Sequence, residues 1–594
     1  MKSRMFPDSD ARIHAWIAAP ALLYVLLRAW LVPPVHDECA SMVWFVQPGE
    51  WLPGRAHWDA NDHYLSSGIG ILLHRLFGDS FPALRLGSVL AYCAYALAGR
   101  RLGALLPAGL PRGLFWAAWC WCPFLLDFFS LFRGYGIAMA AWSWALVFLL
   151  ALVERWRMRD LVATMACALI ANASIIALVP PWALLLVLLF ALALAANRTK
   201  ARARAIVVWL LLGVLPLAAG VALGLALQQR GLLYHGSTAG LLQVTVAPLA
   251  RLVLGSDHPA LLALLALLMV GSLITTVVQA WYARSWQGPA VVLAVLFWGD
   301  LLGRSVLAHL KGVNFPEDRA ALHLVPEALL MLGITIREVS IRWPRAQVLS
   351  AVFAGPLVVA CIDMNLDHTR LWREQSVPVR FVDKVAERER TAGRPLCIGG
   401  HHQLALVWPL MARQAGIRPA LHTVEFPHGL DDLRIADQRH LDMAAAGFRV
   451  IDHAPGPGLW LLERARPLNV RTIVEAALPV QQGPAEFVEL LNLPDSLLHG
   501  GPLRIDMSVA CAVEPLPPDL ALVWEVNTAG GAKRVYESLQ LGAWRAQWAG
   551  DTLRAARYHQ PAAADERVVW YLYNPRRVPL ATGRGTLRVA RLVD

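Results

Sequence analysis

The chain has 594 residues, of which 57% are hydrophobic and only 16% charged, and a mean hydropathy of +0.47. Soluble globular chains carry about 45–50% apolar and about 25% charged residues, so this composition excludes a purely soluble protein. The net charge of +11 lies mostly in short loops between apolar runs, which makes it a topology signal and argues against a nucleic-acid surface.

A membrane-spanning helix needs roughly 20 mostly apolar residues. Such runs fall near residues 12–32, 81–99, 113–131, 134–153, 160–178, 181–197, 205–227, 259–281, 289–308, 320–337 and 346–363, about eleven in all. Tyr64 to Phe77 is too short to span and reads as an interfacial helix. The first run lacks a small-residue cleavage site and reads as a retained span.

Every second loop is basic. Lys2, Arg4 and Arg12 precede span one; Arg100, Arg101 and Arg112 follow span two; Arg155, Arg157 and Arg159 follow span four. Arg198, Lys200, Arg202 and Arg204 follow span six, and Arg337, Arg342 and Arg345 follow span ten. Basic loops are retained in the cytoplasm. The expectation is therefore a multi-pass protein of the cell (inner) membrane with a cytoplasmic N-terminus. An odd number of spans puts everything after residue 364 on the extracytoplasmic, periplasmic side. Of the eight cysteines, Cys39, Cys397 and Cys511 then face an oxidising compartment, where Cys397 and Cys511 are candidates for a bridge. No cysteine spacing resembles a zinc site.

The tail divides by texture. Residues 365–480 alternate short apolar runs with helical stretches such as HQLALVWPLMARQ, as a small α/β unit does. Residues 481–594 read as short strands separated by Pro, Gly and Asn, as in a β-sandwich. Trp524, Trp570 and Tyr571 are candidates for stacking on a sugar, although strand aromatics more often form core.

Four polar features lie on the outer side. Pro33-Pro34-Val35-His36-Asp37-Glu38 places two carboxylates just past span one, where one can act as a general base toward a hydroxyl or simply favour a helix start. His57-Trp58-Asp59-Ala60-Asn61-Asp62-His63-Tyr64 gathers polar and aromatic side chains. With His36, the imidazoles of His57 and His63 are candidates for a divalent metal, against a plain hydrogen-bonded loop. Asp127 to Gly136, DFFSLFRGYG, offers Arg133 as a forked phosphate donor, or an Asp127–Arg133 pair that ties a turn. Lys311 to Arg319, KGVNFPEDR, adds two cations, with helix capping by Glu317 and Asp318 as the simpler role. Asp300, Arg304 and Glu327 are charges within spans nine and ten, and such charges are expensive in a membrane.

The Asp37-Glu38 pair, the NDHYLSSGIGILLHRLFGDSFPALRLGSVL stretch, the SLFRGYG turn and the PEDRAALHLVP segment resemble the C-type polytopic glycosyltransferases. That group includes the protein O-mannosyltransferases and the lipid A aminoarabinose transferase. The resemblance covers residues 12–364, taken as one transmembrane domain over 1–364. It departs at Asp62-His63-Tyr64, where the family more often has Asn-His before an apolar residue, and at Phe132, where the family often has Ala before the arginine. What the resemblance implies is transfer of a hexose or pentose from a polyprenyl-phosphate donor to an acceptor hydroxyl outside the cytoplasm, with inversion. Asp37 and Glu38 would be catalytic, and Arg133, Lys311 and Arg319 would hold the donor phosphate. Asp59, Asn61, Asp62, His63, Asp127 and Tyr135 would bind substrate, and no nucleotide or other cofactor would be needed. The partners would be a lipid-linked sugar, a glycan, lipid or protein acceptor, and membrane lipids. A transporter or flippase for lipid-linked glycans, or an envelope scaffold, stays as the alternative. A transporter would more often show paired broken helices in two halves, and none is visible.

Overall fold

The computed structural model describes residues 8–195, 199–233, 236–392, 396–417, 420–422, 430–442, 446–478, 480–513, 516–545, 548–562 and 565–593. Of the basic loop markers, Lys2, Arg4 and Arg198 lie outside the described residues. The chain divides into two compact units, one of Met1–Leu31 with Trp58–Leu366 and one of Val32–His57 with Asp367–Asp594.

The first unit is helical. Eight helices are long and apolar enough to cross a membrane: Ser9–Leu31, Phe81–Gly103, Gly134–Glu154, Ile176–Leu194, Arg202–Gln229, Pro259–Ala283, Pro289–Lys311 and Pro344–Asp363. They match eight of the eleven expected spans. The other three take different forms. Residues 113–131 are broken into Leu110–Cys120 and Pro123–Phe129, because a proline pushes the residue before it out of the helical region; Cys122 has φ −64° and ψ 113°. Met158–Ser174 is a 17-residue helix. Leu324–Arg342 is long enough but carries Glu327, Arg337, Glu338 and Arg342. Tyr64–Phe77 is a 14-residue amphipathic helix, as its length implied. A further apolar helix, Leu242–Leu254, lies in a stretch that the hydropathy reading left as loop.

The division of the chain bears on the count. Residues 32–57 pack with the tail, so the first loop and the tail occupy one side of the membrane. The chain must then cross an even number of times between residues 58 and 366. If all seven long helices there cross, an odd number of the shorter helices crosses as well.

The second unit holds three sheets. The strands are β1 Cys397–Gly399, β2 Ala420–His422, β3 Leu433–Asp437, β4 Phe448–Ala454, β5 Leu459–Arg464, β6 Asn469–Leu478, β7 Gln481–Gly483, β8 Phe487–Pro494, β9 Leu503–Ala512, β10 Ala521–Thr528, β11 Lys533–Gln540, β12 Thr552–His559, β13 Asp565–Tyr573 and β14 Leu580–Val593. The first sheet runs β2-β1-β3-β5-β4. Strands β2, β1 and β3 are parallel, and β5 and β4 are antiparallel additions. The helix Leu404–Gln414 links β1 to β2.

The other sheets are antiparallel, β11-β10-β13-β8 and β12-β9-β14-β6, with β7 on β14. They face each other as a sandwich, with Trp524 of β10 ring-to-ring with His559 of β12 at 5.9 Å. Alternation along β9, inward then half-buried, marks its inner face. The sandwich starts earlier than its sequence texture suggested, since β6 pairs along β14. Trp524 and Trp570 are 3% and 1% exposed and meet edge to face at 5.4 Å, so both are core. Tyr571 instead donates its hydroxyl to Glu525 at 3.0 Å. All eight cysteines are free thiols. Cys397 and Cys511 are not bridged.

Candidate functional site

In the helical unit, the polar loop before Tyr64 folds on itself. The Asp59 carboxylate accepts the Asn61 N–H at 2.9 Å, an Asx turn that the Asp-x-Asn spacing favours. The Ser67 hydroxyl donates to Asp62 at 2.8 Å. Burial pushes the Asp62 carboxyl up to about 7, against the lowering pull of Ser67 and Arg133.

His63 is buried at the start of the helix Tyr64–Phe77. Its Nδ1 lies 3.0 Å from the Ser174 carbonyl; a carbonyl only accepts, so Nδ1 carries the proton. Burial lowers the imidazole well below its usual range, and the Arg133 and Arg319 charges add to this. The neutral ring leaves Nε2 without a hydrogen bond among the described residues. Tyr135 meets it edge-on at 4.8 Å.

The SLFRGYG turn positions these groups. Arg133 is extended, at φ −141° and ψ 151°, and the helix Gly134–Glu154 begins after it. Its guanidinium is fully buried and donates to the Asn61 side chain. A Cβ at position 134 would run into the Ser174 carbonyl and the His63 Cβ, and one at 136 would lie 2.9 Å from the Phe128 carbonyl. The two glycines are therefore a packing requirement that sets Arg133 and His63 side by side. Asp127 pairs with Arg28 of the first helix at 2.5 Å.

A cavity of about 530 Å³ opens beside this cluster. Asn61, His63, Tyr135, Arg304, Asp318 and Arg319 form its polar part, while Ile175, Val179, Val221 and Leu225 wall the rest with hydrocarbon. Arg304 is fixed by Nε contacts to both Asp300 oxygens at 2.9 and 3.0 Å and by Nη2 to the Ala177 carbonyl at 3.0 Å. Asp300 also accepts from His323 Nε2 at 2.9 Å. Trp142 of the helix Gly134–Glu154 donates to Glu327 of the helix Leu324–Arg342 at 2.7 Å. Asp318 has φ +45°, a strained left-handed conformation of the sort that collects at ligand sites, and burial raises its carboxyl.

The structure thus brings Asn61, His63, Tyr135 and Arg319 to one cavity, with Arg133 one hydrogen bond behind and Asp59 and Asp62 flanking. Lys311 stands at the exposed end of the helix Pro289–Lys311 and is not a wall residue. Sequence reading did not place Arg304 or Asp318 in the site. Arg304 was visible as a charge at membrane depth, which is the signal that could have found it.

Asp37 and Glu38 belong to the second unit. They sit in the first turn of the helix His36–Ser41 and are 8% and 0% exposed. The pair is thus buried within the second unit. The tail covers them: the His36 N–H donates to Gln375 at 3.0 Å, and His36 Nδ1 donates to the Gln403 carbonyl at 2.9 Å. The helix packs on Leu404–Gln414. Glu38 turns back to accept the Val35 N–H at 3.3 Å, and the Ser41 hydroxyl donates to the Asp37 carbonyl at 2.9 Å.

The three imidazoles proposed for a metal each have separate engagements: His36 with Gln403, His57 with the Trp44 ring at 4.8 Å, and His63 with Ser174. Among the described residues no three His, Cys, Asp or Glu side chains are grouped to hold a metal ion.

No family model matches the chain, and no curated protein matches it. Among solved structures it is similar to ArnT from Cupriavidus metallidurans in the apo state, at 12% identity over 75% of this chain and 97% of that one, with a TM-score of 0.43. It is also similar to the arabinosyltransferase EmbB from Mycobacterium smegmatis, at 12% identity over 100% of this chain and 65% of that one, TM-score 0.41. The oligosaccharyltransferase AglB from Archaeoglobus fulgidus gives 10% identity over 94% of each chain, TM-score 0.42. Similarity of this depth transfers no residue roles, so the chemistry is read from the side chains alone.

Proposed function

We propose that the chain is a membrane glycosyltransferase that moves a sugar from a polyprenyl-phosphate donor to an acceptor hydroxyl on the extracytoplasmic face. The observation that carries this reading is the cavity of the helical unit, whose wall passes from hydrocarbon to Arg304, Arg319, Asn61 and neutral His63. A lipid-linked donor has the same division, an apolar chain next to a phosphate and a sugar.

In the proposed reaction the acceptor oxygen bonds to the anomeric carbon as the bond from that carbon to the phosphate oxygen breaks. The electron pair leaves with the phosphate, and the acceptor proton passes to a carboxylate base, for which the sequence nominates Asp37. Attack opposite the leaving group inverts the anomeric centre. Arg319 and Arg304 stabilise charge growing on the phosphate, a contribution commonly worth several kcal/mol (about 2.7–4 for one donor in a measured case). Arg133 holds Asn61 in place. Lys311 supplies longer-range positive charge. His63, with a proton on Nδ1 only, accepts a sugar hydroxyl through Nε2, and Tyr135, Asp59 and Asp62 shape the sugar's surroundings. Glu38 fixes the turn that carries Asp37.

The test is to incubate purified protein with radiolabelled polyprenyl-phosphate sugars and membrane extract. Label should enter a glycan, lipid or protein fraction, and Arg319→Ala should weaken both donor binding and turnover. If no fraction gains label while the donor still binds, the protein is a carrier of lipid-linked sugars and not a transferase.

A further inference from the structure

The tail has a second concentration of polar side chains, at one edge of its α/β sheet. The strand order β2-β1-β3 means that the chain leaves β1 toward β2 on one side, while β3 lies on the other. In open parallel sheets ligands bind outside the carboxyl ends of the strands at such a switch point. Because β1 and β3 are parallel neighbours, the residues that follow them share that edge. They are Gly400-His401-His402-Gln403 after β1 and Gln438-Arg439-His440 after Asp437, which closes β3. His36 joins them, bonded to the Gln403 carbonyl and close enough to His402 for their charges to interact.

The chemistry of the edge is specific. His401 is 5% exposed. Its Nε2 reaches the Glu374 carbonyl at 3.4 Å. Burial outweighs the pull of Asp437 and lowers this imidazole to about 4, and burial lowers His402 as well. Both rings are therefore neutral near pH 7, and a neutral imidazole offers one donor and one acceptor. Arg439, the cation at this edge, is already committed to Asp437 at 2.7 and 2.9 Å and to Glu374 at 3.2 Å. Asp437 also accepts from the His440 ring at 2.6 Å. The Arg439 charge is balanced by the Asp437 and Glu374 carboxylates, and no ligands are grouped for a metal ion among the described residues. Paired donors and acceptors on neutral rings complement hydroxyl groups.

We infer that the β1/β3 edge of the tail binds a hydroxyl-rich glycan, and that this glycan is the acceptor of the transfer. Its identity as acceptor rests on the transferase reading above; glycan binding at this edge does not. The probe is a printed glycan array, read with fluorescently labelled full-length protein in nanodiscs. Polyprenyl-phosphate binding is measured on the same samples. Wild type should retain a chemically related set of glycans. His401→Ala, and separately the His402→Ala/His440→Ala pair, should lower that signal by about tenfold with lipid-phosphate binding unchanged. The paired variant guards against misfolding at buried His401, since His402 is exposed and His440 partly so. Glycan capture without lipid-phosphate binding would sustain the tail site and sink the donor reading. No glycan held above empty nanodiscs, or a signal indifferent to all three histidines, overturns the inference.

Discussion

Arg28 and Asp127 form an ion pair at 2.5 Å with both side chains nearly inaccessible, at 1% and 6% exposure. Arg28 also donates to the Asn365 carbonyl at 2.7 Å and to the Tyr24 hydroxyl at 3.2 Å. One guanidinium thus ties the first span to the helix Pro123–Phe129 and to the residues just after the last span. Breaking such a pair strands a buried charge, at a cost of about 3–5 kcal/mol. Asp127→Ala should therefore lower the unfolding midpoint in detergent sharply. Arg28→Met with Asp127→Leu should recover most of the loss, because apolar replacement of a whole buried pair is often neutral. A midpoint unchanged by Asp127→Ala would return Asp127 to the role of substrate ligand.

Asp62 gives a pH signature. Its folded carboxyl, at about 7, lies above the ordinary carboxyl value of 3.8, so the fold keeps a proton that the unfolded chain has released. The contribution is fully present below pH ~4 and is lost as pH rises through about 7. The span corresponds to on the order of 4 kcal/mol. Wild type should lose stability from pH 5 to 8 by denaturant titration, and Asp62→Asn should flatten that slope. An Asn variant with the wild-type slope would place the titration elsewhere.

The spans were legible because twenty apolar residues can do little else in a chain of this composition. The break at Cys122-Pro123 was missed by the hydropathy reading, which took 113–131 as one span, although proline restricts its predecessor wherever it stands. Membership of residues 32–57 in the tail unit was not legible. It depends on contacts such as His36 with Gln375 and Gln403, more than three hundred residues away. Arg304 carried a signal of cost but not of place, because its aim is set by Asp300 and the Ala177 carbonyl. The nearness of His401 to Asp437 follows from strand order, which no local pattern encodes.

Topology can be checked directly. Reporter fusions after Arg204 should give a cytoplasmic signal and fusions after Asp367 an external one. Residues 32–57 and the tail share a unit, so a cysteine introduced at exposed Leu52 should be labelled from the same side as one in the tail. Opposite labelling would overturn the even number of crossings between residues 58 and 366.

Asp37→Asn tests the proposed base. The substitution keeps the size of the side chain and removes its basicity, and a positioned general base contributes typically 10²–10⁴-fold. Turnover should fall within that range, with donor binding and thermal stability near wild type. Glu38→Gln should behave differently, because Glu38 accepts the Val35 N–H from a fully buried position. Its loss should appear first as a lower unfolding midpoint and only then in rate. Arg319→Ala should raise the donor Kd and lower kcat together, as expected of a phosphate contact made in both ground and transition states. Should Asp37→Asn keep more than about a tenth of wild-type turnover, below the general-base range, the proton goes to another group. Asp318, raised by burial and held at φ +45° on the cavity wall, would be the first to replace.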